Sequence, residues 1–481
     1  MALRGESGDV GLERRAVGIW TAVATTFGLI VASTVLYTVP AGFALSYVWL
    51  AALAIGLLTM YLQSFSLAEL ATMIPRARSM NEYVRAGMGA FFATLTVLVG
   101  YVAIQFFPTT AEAAIPATII HDVLGGDFFG VDLWVAILVA LVAVLNVIGV
   151  RLYGAVEVLL TFSIAISVGI IGIIGLVGAG TKDPIGSALP DIGFSWGGPA
   201  GLAGLLGLAI FAFVGMEYAC PLAEELERPR RDIPLGIFAG LALVSVPLLL
   251  FGLAAARYVP ADQLGAFSPT THVDVARAIL GKGGKWWMSL VSIAATLSTL
   301  NALLAGLPRI LYGMSLTGQV PRVLGYLLPR TRTPVVGIVL VGLIPILMNL
   351  FVEVTSATFL SLILAGVLGW GTAYTLIHIT QMLLRVRAPE LARPFRSPLF
   401  PIPQLVGMGL LALAAYKIFP DPGIKEDAYR YYLIFLAVAV GLSFLYNLLA
   451  YRSLAALFRP VPVEEVRREA EEIAEDVPAG A

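Results

Sequence analysis

The chain has little charge, one cysteine and three histidines. Of its 481 residues 13% are charged and 59% hydrophobic, whereas soluble domains carry about 25% charge. That balance excludes an ordinary soluble domain. A lone Cys220 excludes a disulfide within the chain and a cysteine-based metal cluster. His121, His272 and His378 are not spaced as metal ligands, so neither a metal nor a cofactor is expected. No basic cluster offers a nucleic-acid surface, and no nucleic acid is expected as a partner. The polar start, MALRGESGDVGLERR, lacks the apolar core of a cleavable signal peptide. One G-x-S-x-G match, Gly193 to Gly197, follows loop-like sequence where a nucleophile elbow needs a strand. It is read as chance, and no catalytic residue is assigned.

What is present is apolar length. A spanning helix needs about 20 apolar residues, and about twelve runs between Val17 and Leu449 qualify. They predict an all-α polytopic membrane protein. Its expected parts are a tail (1–15), a first five-helix block (16–179), an outer loop (180–201), a second five-helix block (202–384), two further helices (385–452) and a tail (453–481). On this map only eight of the 30 basic residues face away from the termini, so both termini are expected in the cytoplasm. The last tail is expected to hold a short surface helix with Val466, Ala470, Ile473 and Val477 on one stripe.

Two runs carry features that interrupt helices. The run that opens the second block places Gly215 and Glu217 at mid-depth. A carboxylate in hydrocarbon costs several kcal/mol, and a glycine loosens the helix around it. The run that opens the first block carries Gly28, then Ala32, Ser33 and Thr34, then Pro40. Interrupted segments at matching places in two halves point to a ligand site between inverted repeats.

Five motifs, in order and at matching spacing, resemble the amino acid–polyamine–organocation permeases. They are AELATMIPRA with NEYVRAGMG (68–77 and 81–89), FAFVGME with AEELERPRRDIP (211–217 and 223–234), LSTLNALLAGLPRILYGMSLTGQVP (297–321), PRTRTP (329–334) and RPFRSPLFP (393–401). Where the family carries paired glycines, this chain has Arg78 and Ser79. The resemblance implies a five-plus-five inverted-repeat core with two extra helices. It implies alternating access, with helices 1 and 6 unwound around the substrate. In the family a glycine-serine-glycine in helix 1 binds a carboxylate through backbone N–H groups. Here those positions are Ala32, Ser33 and Thr34, so both glycines are lost. The family's helix 5 lysine would fall near Ile164 and is absent.

The candidate substrate-binding residues are Ala32, Ser33, Thr34, Gln105, Glu112, Phe211, Phe213 and Gly215. Glu112 and Glu217 are candidates for proton coupling or gating. Ser292 and Thr296 share a helix face and could offer hydroxyls to an ion; bonding to their own helix carbonyls is the alternative. Glu69 and Glu157 are expected near helix ends, with Arg76, Arg78 or Arg151 in reach. His272 is expected in an outer loop.

The expectation is a secondary active transporter of amino acids or related small amines in the cytoplasmic membrane. It would be proton-coupled or an exchanger, and not an enzyme. Its expected partners are the small-molecule substrate and the lipid bilayer; a homodimer stays open. A carrier of a carboxylate-free amine, polyamine or ethanolamine-like, is the alternative that the lost glycines and Glu112 bring forward. A ligand-binding membrane sensor or accessory subunit is the alternative from another class.

Overall fold

The computed structural model describes residues 11–44, 48–185, 199–352 and 356–468. The G-x-S-x-G match and the tail stripe beyond residue 468 lie outside the described residues. Among those described there are helices and turns, with one isolated parallel bridge between Val17 and Leu226.

Among the described residues nine helices are long and apolar enough to cross a membrane. A tenth span is the bent pair Ile19–Ile30 and Ser33–Gly42. Two more apolar helices, Val335–Phe351 and Ile402–Lys417, are 17 and 16 residues long. They fall short of the roughly 20 residues of a full crossing. The apolar window of Gly201–Leu222 is 94% buried, that of Pro422–Tyr451 only 17%. The interrupted helix therefore lies at the centre and the last long helix at the lipid-facing edge. Small residues allow the central helices to approach. A Cβ on Gly236 would lie 2.7 Å from the Ala22 Cβ, and one on Gly240 would lie 2.5 Å from the Thr26 methyl.

The first interruption turns the chain by 55°. It falls at Val31 and at Ala32, whose φ −52° and ψ 151° are extended. Gly28 stays helical. Its role is close approach: a Cβ there would sit 1.9 Å from Glu157 Oε1 and 2.2 Å from Ser298 Oγ. The second interruption follows Pro199–Phe211. Gly215 takes φ 107°, and Met216–Leu222 continues as a 3-10 helix. A side chain at Gly215 would be strained by that φ and would meet Leu29 Cδ2 at 2.6 Å. The two interruptions thus pack on each other.

Two further helices are bent. The span Ala90–Val123 kinks at Phe107 (φ −106°, ψ −95°), just before Pro108. Proline lacks the N–H that would continue the ladder. The long helix Thr271–Leu316 is two helices meeting at Gly281 (φ 63°, ψ −142°).

The ion pairs correct two expectations. Glu69 meets Arg385 at 2.6 Å and Arg393 at 3.2 Å, both far along the chain, while Arg151 meets Glu13 at 2.7 Å. Among the described residues no arginine pairs with Glu157. It accepts from the Ser298 hydroxyl and the Asn301 amide, each at 2.6 Å. Its helix, Val150–Val177, turns it inward onto the first interrupted helix rather than toward Arg151. Arg309 and Glu225 form a pair buried on both sides.

Candidate functional site

A helix start leaves backbone N–H groups without intrahelical partners. At the first interruption two of them meet one carboxylate. The Ser33 N–H donates to Glu112 Oε1 at 2.9 Å, and the Thr34 N–H donates to Oε2 at 2.8 Å. The Thr34 hydroxyl donates to Oε2 at 2.8 Å, and the Thr296 hydroxyl donates to Oε1 at 2.5 Å. Four donors fill the acceptor places of an ionised carboxylate. The helix dipole at this N-terminus favours the same negative charge. Among the described residues no cationic side chain pairs with Glu112.

The arrangement also acts on the preceding helix. In an unbroken helix the amides of Ser33 and Thr34 would bond the carbonyls of Leu29 and Ile30. Glu112 takes those donors. The first interruption therefore presents an anion-filled N-terminus beside a C-terminus whose carbonyls have lost their regular partners.

Behind Glu112 lies a polar cluster. The Ser33 hydroxyl donates to the Ser292 carbonyl at 2.7 Å and lies 2.9 Å from the Thr296 hydroxyl. The Ser292 hydroxyl lies 2.9 Å from the Ser33 hydroxyl and 2.7 Å from His272 Nε2. Ser33, Glu112, Ser292 and Thr296 are thereby brought together. Ser292 and Thr296 bond across helices rather than to their own turns. His272 is a correction: it is fully buried in the first turn of the long helix, and the bend at Gly281 is what brings it to Ser292. Nothing in the sequence links two residues 20 apart across a glycine kink. No group of three or more His, Cys, Asp or Glu among the described residues could hold a metal ion.

A narrow cavity adjoins the carboxylate. Its lining includes Leu29, Ile30, Ala32, Thr34, Glu112 and Phe211. The cavity is about 30 Å³ in volume, room for about two waters. Among the described residues Glu112 is the only charged one on this wall. Ser33 stands behind the wall, and Gln105, Phe213 and Gly215 do not line it. The Gln105 amide instead turns back to the Tyr101 carbonyl at 3.5 Å. Among the lining residues outside the candidate set, Thr109, Thr299 and Trp370 carry a polar or aromatic group. The Thr109 hydroxyl is buried without a hydrogen-bond partner. Its spacing of three from Glu112 was the available signal.

Glu217, at the second interruption, is also fully buried. Its Oε2 accepts from the Tyr374 hydroxyl at 2.8 Å, and that hydroxyl accepts from the Gly215 N–H at 3.4 Å. Glu217 does not line the cavity.

A family model described as amino acid permease matches residues 17–444. A mitochondrial cationic amino acid transporter of Arabidopsis thaliana is 26% identical over 362 residues, covering 70% of this chain and 56% of that protein. A branched-chain amino acid permease of Bacillus subtilis (strain 168) is 26% identical over 257 residues, covering 52% of each. The chain thus spans about half the length of these curated relatives. Among solved structures, a nucleobase-cation-symport-1 family transporter in a closed conformation, with bromovinylhydantoin bound, superposes with a TM-score of 0.55 at 18% identity. The match covers 97% of this chain and 99% of that one, and it shows the fold.

Proposed function

The chain belongs to the amino acid permease family, and on that premise we propose that it is a secondary active transporter of amino acids or related small amines, working by alternating access. The observation that carries this reading is the meeting of two interrupted helices at one narrow cavity with a buried carboxylate. Broken helices that expose backbone groups at mid-membrane are how such carriers hold a cargo. Residues 16–179 and 202–384 are taken as the two repeats, both termini as cytoplasmic, and the cytoplasmic membrane as the site of action.

In this reading Ala32, Thr34, Glu112 and Phe211 touch the cargo. Ser33, Ser292 and Thr296 position Glu112 and its helix, which replaces the ion-binding role expected for the two long-helix hydroxyls. Gly215 allows the second helix to turn, and Glu217 ties that turn to Tyr374. Coupling to protons would run through Glu112. A proton there converts an accepting position into a donor, so one of the four donors must yield: a threonine hydroxyl by reversing to accept, or an amide of Ser33 or Thr34 by letting go. That step would join proton binding to movement of the first helix.

The relatives' names speak of cationic and of branched-chain amino acids, two different side-chain chemistries, so neither is carried over. The test is uptake and counterflow of a radiolabelled amino acid and amine panel in proteoliposomes, with and without a pH gradient. Saturable accumulation or exchange is expected. Saturable binding with neither accumulation nor exchange would replace the carrier with a membrane sensor.

A further inference from the structure

The cavity beside the first interruption has a polarity that narrows the cargo. We propose that Glu112 is a built-in occupant of the Ser33 and Thr34 amides, and that the cargo is a small monoamine with an apolar body and no carboxylate. The proposal rests on the carrier reading above for where the cargo sits.

Both amides and both threonine hydroxyls already point at Glu112, at 2.5 to 2.9 Å. A cargo carboxylate would have to displace a carboxylate that is covalently part of the protein, or stand against it. Like charges at close range in a site of low dielectric repel strongly. A cargo ammonium meets the opposite situation. It finds the one charged group on the wall, which has no cationic partner of its own. It finds the carbonyls of Leu29 and Ile30, freed by the loss of their amide donors at the negative end of a helix. It finds the Thr109 hydroxyl, buried and unpartnered. The rings of Phe211 and Trp370 complete the wall, and aromatic rings attract a cation placed over them.

The rest of the lining sets the body of the cargo. The side chains of Leu29, Ile30, Val35, Ile104, Val214 and Leu303 are apolar. A second ammonium would have no carboxylate to face, which argues against a diamine or polyamine. The narrowness of the cavity favours a short chain.

The test measures binding to the full-length protein in nanodiscs by calorimetry, using matched pairs. These are leucine with 3-methylbutylamine, phenylalanine with 2-phenylethylamine, and lysine with cadaverine. At least one of the two monoamines is expected to bind at least tenfold tighter than its parent amino acid, and tighter than cadaverine. In Glu112→Ala, which frees the amides, that preference is expected to fall at least tenfold. An amino acid that binds as tightly as its amine overturns the proposal, and so does failure of both monoamines to bind. The wild-type panel decides the matter even if Glu112→Ala does not fold. Counterflow of the same panel separates this inference from the carrier reading. Exchange of amino acids would sink the monoamine and keep the carrier, whereas tight amine binding without exchange would do the reverse.

Discussion

The two interrupted helices each break next to a buried glutamate, yet they answer the break differently. At the first, the amides reach outward to Glu112 on another helix, and the acid is held by four donors. At the second, the amides mostly bond locally: Phe213 to Ile210, Val214 to Phe211 and Tyr218 to Gly215. Glu217 there receives one tyrosine hydroxyl and lies off the cavity. The first break is thus an electrostatic site and the second a mechanical one. Having a buried acid near a helix break does not by itself assign it to a cargo; the donors around the acid do.

The sharpest way to break this contrast is to neutralise each acid in turn. Glu112→Gln places an amide N–H₂ against amide donors and removes the only charge on the wall. Losing a buried charged partner costs about 3 kcal/mol, roughly a hundredfold in uptake. Glu217→Gln keeps an oxygen for Tyr374 and is expected to lose less than about tenfold. Equal losses in proteoliposome uptake would erase the distinction. Next comes Gly215→Ala, where a left-handed φ and contact with Leu29 together cost about 3 kcal/mol of stability. A thermal-unfolding midpoint unchanged from wild type would show that the second break is not held by its glycine.

A third measurement uses a carboxylate away from both breaks. Burial alone would raise the Glu82 carboxyl, but Arg78 and Arg85 outweigh it and hold it below the usual range. A lowered folded value stabilises above the unfolded value near 4.3 and is lost as pH falls through the folded value. The melting midpoint should therefore drop on acidification below about pH 4, and less steeply in Glu82→Gln. A profile identical in the two proteins would remove Glu82 as its source. The smallest effect is expected for Thr34→Val, which takes one of four donors from Glu112. About 1 kcal/mol, or a fivefold loss of uptake, is expected, and a loss as large as that of Glu112→Gln would mean that Thr34 itself carries the cargo.

Much of this was legible in the residues. The apolar runs, the interruptions near Ala32 and Gly215, and the isolated acids Glu112 and Glu217 all follow from the cost of polar groups in hydrocarbon. What was not legible is which distant groups meet. Glu112 and Ser33 are 79 positions apart, and no local rule pairs a side chain with a backbone amide at that distance. Glu69 was assigned near arginines and Glu157 near Arg151 because adjacency along the chain is visible. Helix rotation, which sends Glu69 to Arg385 and Glu157 to Ser298 and Asn301, is not. Gln105 shares a helical face with Glu112 in an ideal helix, and the kink at Phe107 rotates it off. The first break falls at Ala32, within the stretch that the residues mark, and Gly28 serves close contact with Glu157 and Ser298.

The short bridge between Val17 and Leu226 has a mechanical consequence. Ala16 and Val17 donate to the Glu225 carbonyl at 2.7 and 3.1 Å, and Glu227 donates back to Val17 at 3.0 Å. These bonds stitch the foot of one severed rod to the foot of the other, and Arg309 clamps the seam through the Glu225 side chain. With their feet tied, the two rods share a single fulcrum, so a push felt at either one is delivered to both.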